Sequence, residues 1–198
     1  MTGGDPPIAT STPPTRNAAA TREAILRSAI DNFARAGYDG VGVRQIAHDA
    51  GVTAMLVNRY FGSKEGLFAE AVETAFATPV FIGEQSDDLV GDIVRILVAK
   101  SGPNADAPQP FLIMLRSASN PAAMAIVRAA IERHVGARLA RQLDTPPDRQ
   151  LRSEILLAVI SGMLMMRGVV GTRALTRGGK AADVARVLEP MIAELLGN

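Results

Sequence analysis

Residues 43–68, VRQIAHDAGVTAMLVNRYFGSKEGLF, decide how this chain folds. Ile46 and Ala47 set an apolar residue beside a small one, so a second helix can cross closely over the first. Gly51 falls where the chain must turn, and glycine enters the left-handed region without a Cβ penalty. Val52 plugs the turn, and Thr53 is an N-cap whose hydroxyl accepts from an otherwise orphaned backbone N–H. Leu56, Val57, Tyr60 and Phe61 then recur at helical spacing. Two short helices joined by a glycine turn make a helix-turn-helix, the unit that places its second helix in the major groove of DNA.

The motif continues into GSKEGLF, where Ser63 caps a further helix and Lys64 stands in its first turn. A cation is disfavoured there by the helix dipole, whereas Glu65 has the expected sign. A solvated lysine would cost a few tenths of a kcal/mol, a small penalty. A phosphate docked on that helix N-terminus would turn the penalty into a use.

TREAILRSAIDNFARAGYDG followed by the 43–68 stretch resembles the N-terminal domain of TetR-family (tetracycline-repressor-like) transcriptional regulators, over about residues 21–76. The resemblance implies an all-α homodimer of about nine helices. A three-helix DNA-binding head would occupy 15–62, after a disordered tail over 1–14. A helical effector-binding and dimerisation body would occupy 63–198. It also implies candidate DNA contacts at Arg44, Gln45, Thr53, Ala54, Met55, Leu56, Asn58, Arg59, Tyr60 and Lys64. Two departures stand out: Asn58 replaces an aromatic common in the family, and Val41-Gly42 replaces the usual Thr or Ser cap.

Composition agrees. The chain is 198 residues long and 47% apolar, ordinary for a globular protein. It has no cysteine, which rules out disulfides and Cys-ligated zinc and fits a reducing cytoplasm. The net charge of +1 conceals a division, because residues 15–64 hold seven Arg/Lys against four Asp/Glu. That basic excess lies in the segment expected to face phosphates. The N-terminus has no signal-peptide pattern, and the most apolar run, 155–166, is too short to span a bilayer.

Along the chain, periodicity and breakers predict helices over about 17–36, 43–50, 54–61, 64–77, 87–101, 111–119, 121–143, 148–170 and 181–196. A Pro-rich loop is expected over 102–110, and Pro146-Pro147 should break the chain. Arg16 and Arg22 are the cations that an N-terminal arm would bring to DNA. The helix over 148–170 is apolar nearly all round, and the one over 181–196 carries a broad apolar stripe. An intramolecular core explains this partly, a two-fold four-helix interface more fully. The expected dimer-interface residues are Leu156, Val159, Met163, Val184, Leu188, Met191, Ile192 and Leu195.

Catalytic signatures are missing. His48 and His134 are the only histidines, in no metal-ligand spacing, and there is neither a G-x-S-x-G nor a P-loop nor a dinucleotide fingerprint. Asp87, Asp88 and Asp92 slightly resemble an acidic metal motif, but a capped helix start accounts for the pair better. No cofactor or metal is expected. A small-molecule pocket has a better basis, since Met114, Met163 and Met166 lie on neighbouring helices and methionine adapts to varied apolar ligands. Met also fills ordinary core gaps. Ser117 and Arg167 are polar groups available to orient an apolar or amphipathic effector. The expected function is a cytoplasmic, ligand-responsive repressor binding a palindromic duplex operator as a homodimer, with no membrane partner. A DNA-binding dimer without effector and a small helical enzyme are the alternatives.

Overall fold

The computed structural model describes the backbone of residues 14–80, 87–100, 107–142, 148–176 and 181–197, and their side chains apart from 14–17, 100 and 140. All regular structure among them is helical. The head comprises α1 (Pro14–Gly40), α2 (Val43–Asp49), α3 (Ala54–Phe61) and α4 (Lys64–Ala77). The body comprises α5 (Leu89–Lys100), α6 (Gln109–Ser117), α7 (Pro121–Ala130), α8 (Ala137–Gln142), α9 (Arg149–Leu164), α10 (Arg173–Thr176) and α11 (Ala181–Leu196). The expected tail over 1–13, much of the 102–110 loop and the Pro146-Pro147 break lie outside the described residues. Pro14, assigned to the tail, already belongs to α1.

Helices with side-chain caps begin where the sequence puts them. Thr53 Oγ1 accepts from Leu56 N–H at 3.4 Å, Ser63 Oγ from Gly66 N–H at 3.0 Å and Asn120 Oδ1 from Ala123 N–H at 3.0 Å. Gly42 caps α2 with no side-chain bond, as the missing Thr or Ser implies. Gly51 has φ 69° and makes the turn between α2 and α3. In α1 the helical conformation is interrupted at Gly37, with φ 72° and ψ 179°. A Cβ at Gly37 would lie 2.1 Å from the carbonyl oxygen of Arg116, so α1 and α6 touch there backbone to backbone.

Two stretches read as uninterrupted α-helix are not. The expected helix over 121–143 passes through a π-helical turn, Ile131–Gly136, between α7 and α8. The one over 148–170 ends in a second, Met165–Val169. Each adds a residue to the helical repeat, so the faces beyond it rotate relative to an α-helical wheel.

Two apolar cores result. The first joins Ile25, Ala29 and Phe33 of α1, Ile46 and Ala47 of α2, Val57 and Phe61 of α3, and the buried face of α4 to Ile113 of α6 and Ala123 and Val127 of α7. Phe33, Tyr38 and Phe68 form its aromatic centre, Phe68 standing edge-on to both others at 4.9 Å. It therefore crosses the expected 62/63 boundary. The second core joins α5, α9 and α11 through Ile93, Leu97, Leu156, Ile160, Leu188 and Ile192, with Leu139 of α8. Among the described residues no helix is long and apolar enough to cross a membrane.

Candidate nucleic-acid interface and ligand pocket

The α2–α3 pair is pinned to α1 by polar bonds that periodicity could not reveal. Ser28 Oγ donates to the Ile46 carbonyl at 2.9 Å, and Asn32 Nδ2 donates to Asp49 Oδ2 at 2.9 Å. Asp49 also accepts from Gln45 Nε2 at 2.7 Å and lies 3.2 Å from His48 Nδ1. The bond from Asn32, then those from His48 and Gln45, hold the Asp49 carboxyl below its ordinary value. Sequence reading missed Asp49; its only signal was an acid at the C-terminal end of a helix, where the dipole disfavours one.

With the pair fixed, its side chains divide. Arg44, Gln45, Thr53, Met55, Asn58 and Arg59 are exposed. Ala54 and Tyr60 pack partly against the first core and Leu56 is half-buried, so these three candidate contacts offer only part of their surface. Gln45 is committed to Asp49, while Arg44 and Arg59 enter no ion pair among the described residues. Met55 is 80% exposed, the most exposed large apolar side chain described.

Lys64 has a protein partner that the sequence did not disclose. Its Nζ lies 4.5 Å from the centroid of the Tyr38 ring, a cation–π contact that offsets the unfavourable first-turn position. Burial, followed by the charges of Glu65 and Asp39, raises the Tyr38 hydroxyl above its ordinary value, so the ring meets Lys64 as a neutral phenol. Arg22, expected on a DNA-reaching arm, is instead paired with Glu70 of α4 and stacked 5.0 Å from the Phe61 centroid. Its charge is spent inside the head. The side chain of Arg16 lies outside the described residues.

Behind α4 lies a largely apolar cavity of about 270 Å³. Phe76 and Thr78 line it from the end of α4, Phe111 and Met114 from α6, Ile131 and Val135 from the π turn, Arg138 from α8, and Leu157, Ile160 and Ser161 from α9. Of the expected ligand residues only Met114 is among its walls. Ser117 is buried elsewhere, its Oγ accepting from Tyr38 N–H at 3.0 Å and tying the head to α6. Met163 and Met166 line a separate groove between α9 and α11. Arg167 is 5% exposed, lines neither space, and has Nε and Nη1 buried without a partner among the described residues. Helical spacing puts the methionines near one another, but Met114 lines the cavity from α6 while Met163 and Met166 face the groove beside α11.

The π turn Ile131–Gly136 grips α4. Arg133 Nη1 and His134 Nε2 each lie 2.7 Å from a carboxylate oxygen of Glu73. Cavity wall and head are thus joined through one helical turn. The acids at the start of α5 serve that helix: Asp88 Oδ1 accepts from Gly91 N–H at 2.9 Å, and Asp92 pairs with Arg95 at 2.7 Å.

Burial redraws the expected dimer face. Leu156, Val184, Leu188 and Ile192 are 0–8% exposed and face the second core of the same chain. Val159, Met163 and Leu195 are half-buried against it, and only Met191 is open. The outward apolar set is Leu151, Ile155, Met165, Met166, Val169, Val170, Val187 and Met191. On α11 the stripe is really two, with 184, 188 and 192 inward and 187 and 191 outward, adjacent on the helix wheel and indistinguishable by hydropathy.

Comparison with known proteins covers both halves. Residues 25–71 match the model of bacterial regulatory proteins of the tetR family. Residues 87–196, more than half the chain, match the tetracyclin repressor-like C-terminal domain. The HTH-type transcriptional regulatory protein RaaS of Mycobacterium tuberculosis is 55% identical over 53 residues, 26% of this chain and 24% of that protein. The HTH-type transcriptional repressor SCO4008 of Streptomyces coelicolor is 34% identical over 87 residues, 41% of this chain and 43% of that one. The matches thus span under half the length of these curated relatives. A solved TetR-family regulator of Streptomyces coelicolor A3 superposes with a TM-score of 0.52 at 28% identity, covering 95% of this chain and 99% of that one.

Proposed function

Since this chain belongs to the TetR family of bacterial regulatory proteins, we propose that it is a ligand-responsive transcriptional repressor, acting in the cytoplasm as a homodimer on a palindromic duplex operator. The observation that carries this reading is Met55, held 80% exposed at the start of α3, with Arg44 of α2 and Arg59 of α3 exposed and in no ion pair among the described residues. An apolar side chain kept in water with uncommitted guanidinium groups suits the major groove, where it can meet thymine methyls while Arg44 reads guanine. Thr53, Asn58, Arg59 and Tyr60 would position the head on the backbone, with Lys64 at a phosphate from beside Tyr38. Gln45, Ala54 and Leu56 would border the groove. Functionally, 15–62 would act as the DNA-binding domain, and 63–198, which includes α4 of the head, as the effector-binding and dimerisation domain.

Two copies would place two α3 helices about 34–36 Å apart, in successive major grooves. The outward apolar set on α9, α11 and the second π turn supports the dimer. The cavity behind α4 supports a small apolar or amphipathic effector. Its occupation would move the π turn that holds Glu73, and with it α4. Such a ligand can shift DNA affinity only by as much as it prefers one conformation. Selection of bound fragments from genomic DNA tests the reading: a two-fold symmetric site with salt-sensitive affinity is expected. Duplex binding without sequence preference at any salt concentration would overturn it.

A further inference from the structure

Among the described residues that line the cavity behind α4, one side chain is charged. Arg138 is 9% exposed, lines the apolar space, and has no carboxylate within 4 Å among the described residues. Its hydrogen bond is to the carbonyl of Ala77, the last residue of α4, from Nη2 at 2.7 Å. That bond fixes how the guanidinium lies and uses one of its five donors. The hydroxyls of Thr78 and Ser161 line the same space, and no acidic side chain does so among the described residues. A buried cation without a counter-charge is costly, and an incoming anion relieves that cost.

We infer that the cavity takes an amphipathic monoanion, a carboxylate on an apolar body, and that Arg138 recognises its charge. The inference rests on the effector reading above and narrows it to one ligand class. Arg138 would hold the carboxylate through two parallel N–H donors, a geometry its planar fork provides and an ammonium does not. Phe76, Phe111, Ile131 and Leu157 would cover the apolar body. A cationic amphiphile of the same size would meet Arg138 with like charge and no compensating acid.

The test uses three matched probes, octanoate, octanol and octylamine, titrated calorimetrically into the full-length protein. Octanoate should bind about 10- to 100-fold tighter than octanol, the difference that a hydrogen bond between charged groups makes, and octylamine weaker than either. Arg138→Gln keeps a donor for the Ala77 carbonyl but removes the charge; it should erase the octanoate preference while octanol binding stays unchanged. Arg138→Lys should retain part of the preference. Equal wild-type binding of octanoate and octanol would overturn the inference and leave the effector reading standing, as would a preference that survives Arg138→Gln. Failure of all three probes to bind would overturn both. Should Arg138→Gln not fold, the wild-type comparison of the three probes decides by itself.

Discussion

The head and the rear surface of α9 and α11 solve opposite problems with the same all-helical material. In the head every turn is punctuated: Gly37 and Gly51 reverse the backbone, Thr53 and Ser63 cap helices, and Asn32, Ser28 and Asp49 lock α2 to α1. What stays outward is a short row of uncommitted side chains. The rear surface has few such devices, ends in a π turn, and leaves Met165, Met166, Val169, Val170, Val187 and Met191 exposed. Local chemistry completes the head within one protomer. The rear leaves an apolar face in water, which the proposed second copy would cover.

The largest break of this contrast is at Gly37. Replacing it by Ala puts a side chain into a conformation almost reserved for glycine and against the Arg116 carbonyl, so Gly37→Ala should destabilise by about 3–5 kcal/mol. Thermal unfolding checks this, and a melt within a degree of wild type would mean α1 and α6 can separate freely. Next comes the rear face. Val187→Glu with Met191→Glu should weaken self-association by about 2–4 kcal/mol while leaving helix content intact. Leu188→Glu should instead unfold the protomer, because Leu188 is inside it. Ultracentrifugation alongside circular dichroism separates the two; a double variant that stays dimeric moves the interface elsewhere.

Smaller effects sharpen the head. Arg44→Ala should relax preference at one base pair per half-site at a cost of about 1–3 kcal/mol. An unchanged selected consensus with uniformly lower affinity would make Arg44 a phosphate contact. Lys64→Ala should reduce the salt slope of binding by about one unit per half-site if its ammonium reaches a phosphate. An unchanged slope with lowered stability would leave Tyr38 as its sole partner. The smallest effect is in acid. Burial pushes the Glu73 carboxyl up, yet the bonds from His134 and Arg133 outweigh it and hold the group below its ordinary value. Its contribution is therefore complete above the ordinary carboxylate range and disappears as pH falls through the lowered folded value. The side chain is 41% exposed, so solvent screening keeps the effect small. Glu73→Gln should flatten this acid limb of the stability curve, and an unaltered limb assigns the acid sensitivity to other carboxylates.

By itself the sequence determined the helices over 54–61, 64–77 and 181–196 to the residue, together with the helix-turn-helix. Caps, left-handed glycines and the i, i+4 stripe act over a few residues, and their signal is complete within one turn of the chain. Where the two cores meet was decided only in three dimensions. Nothing local says that Ile113 and Val127 belong with the head, that Arg22 turns to Glu70, or that Lys64 lies on Tyr38. The two π turns share the composition of their α-helical neighbours, so the rotations that aim Ile131, Val135 and Arg138 at the cavity leave no mark in the periodicity. Val187 and Leu188 are adjacent and equally apolar, and only the packing of α11 on α5 and α9 buries one and exposes the other. Hydropathy records which residues leave water; tertiary contact decides against what they are buried.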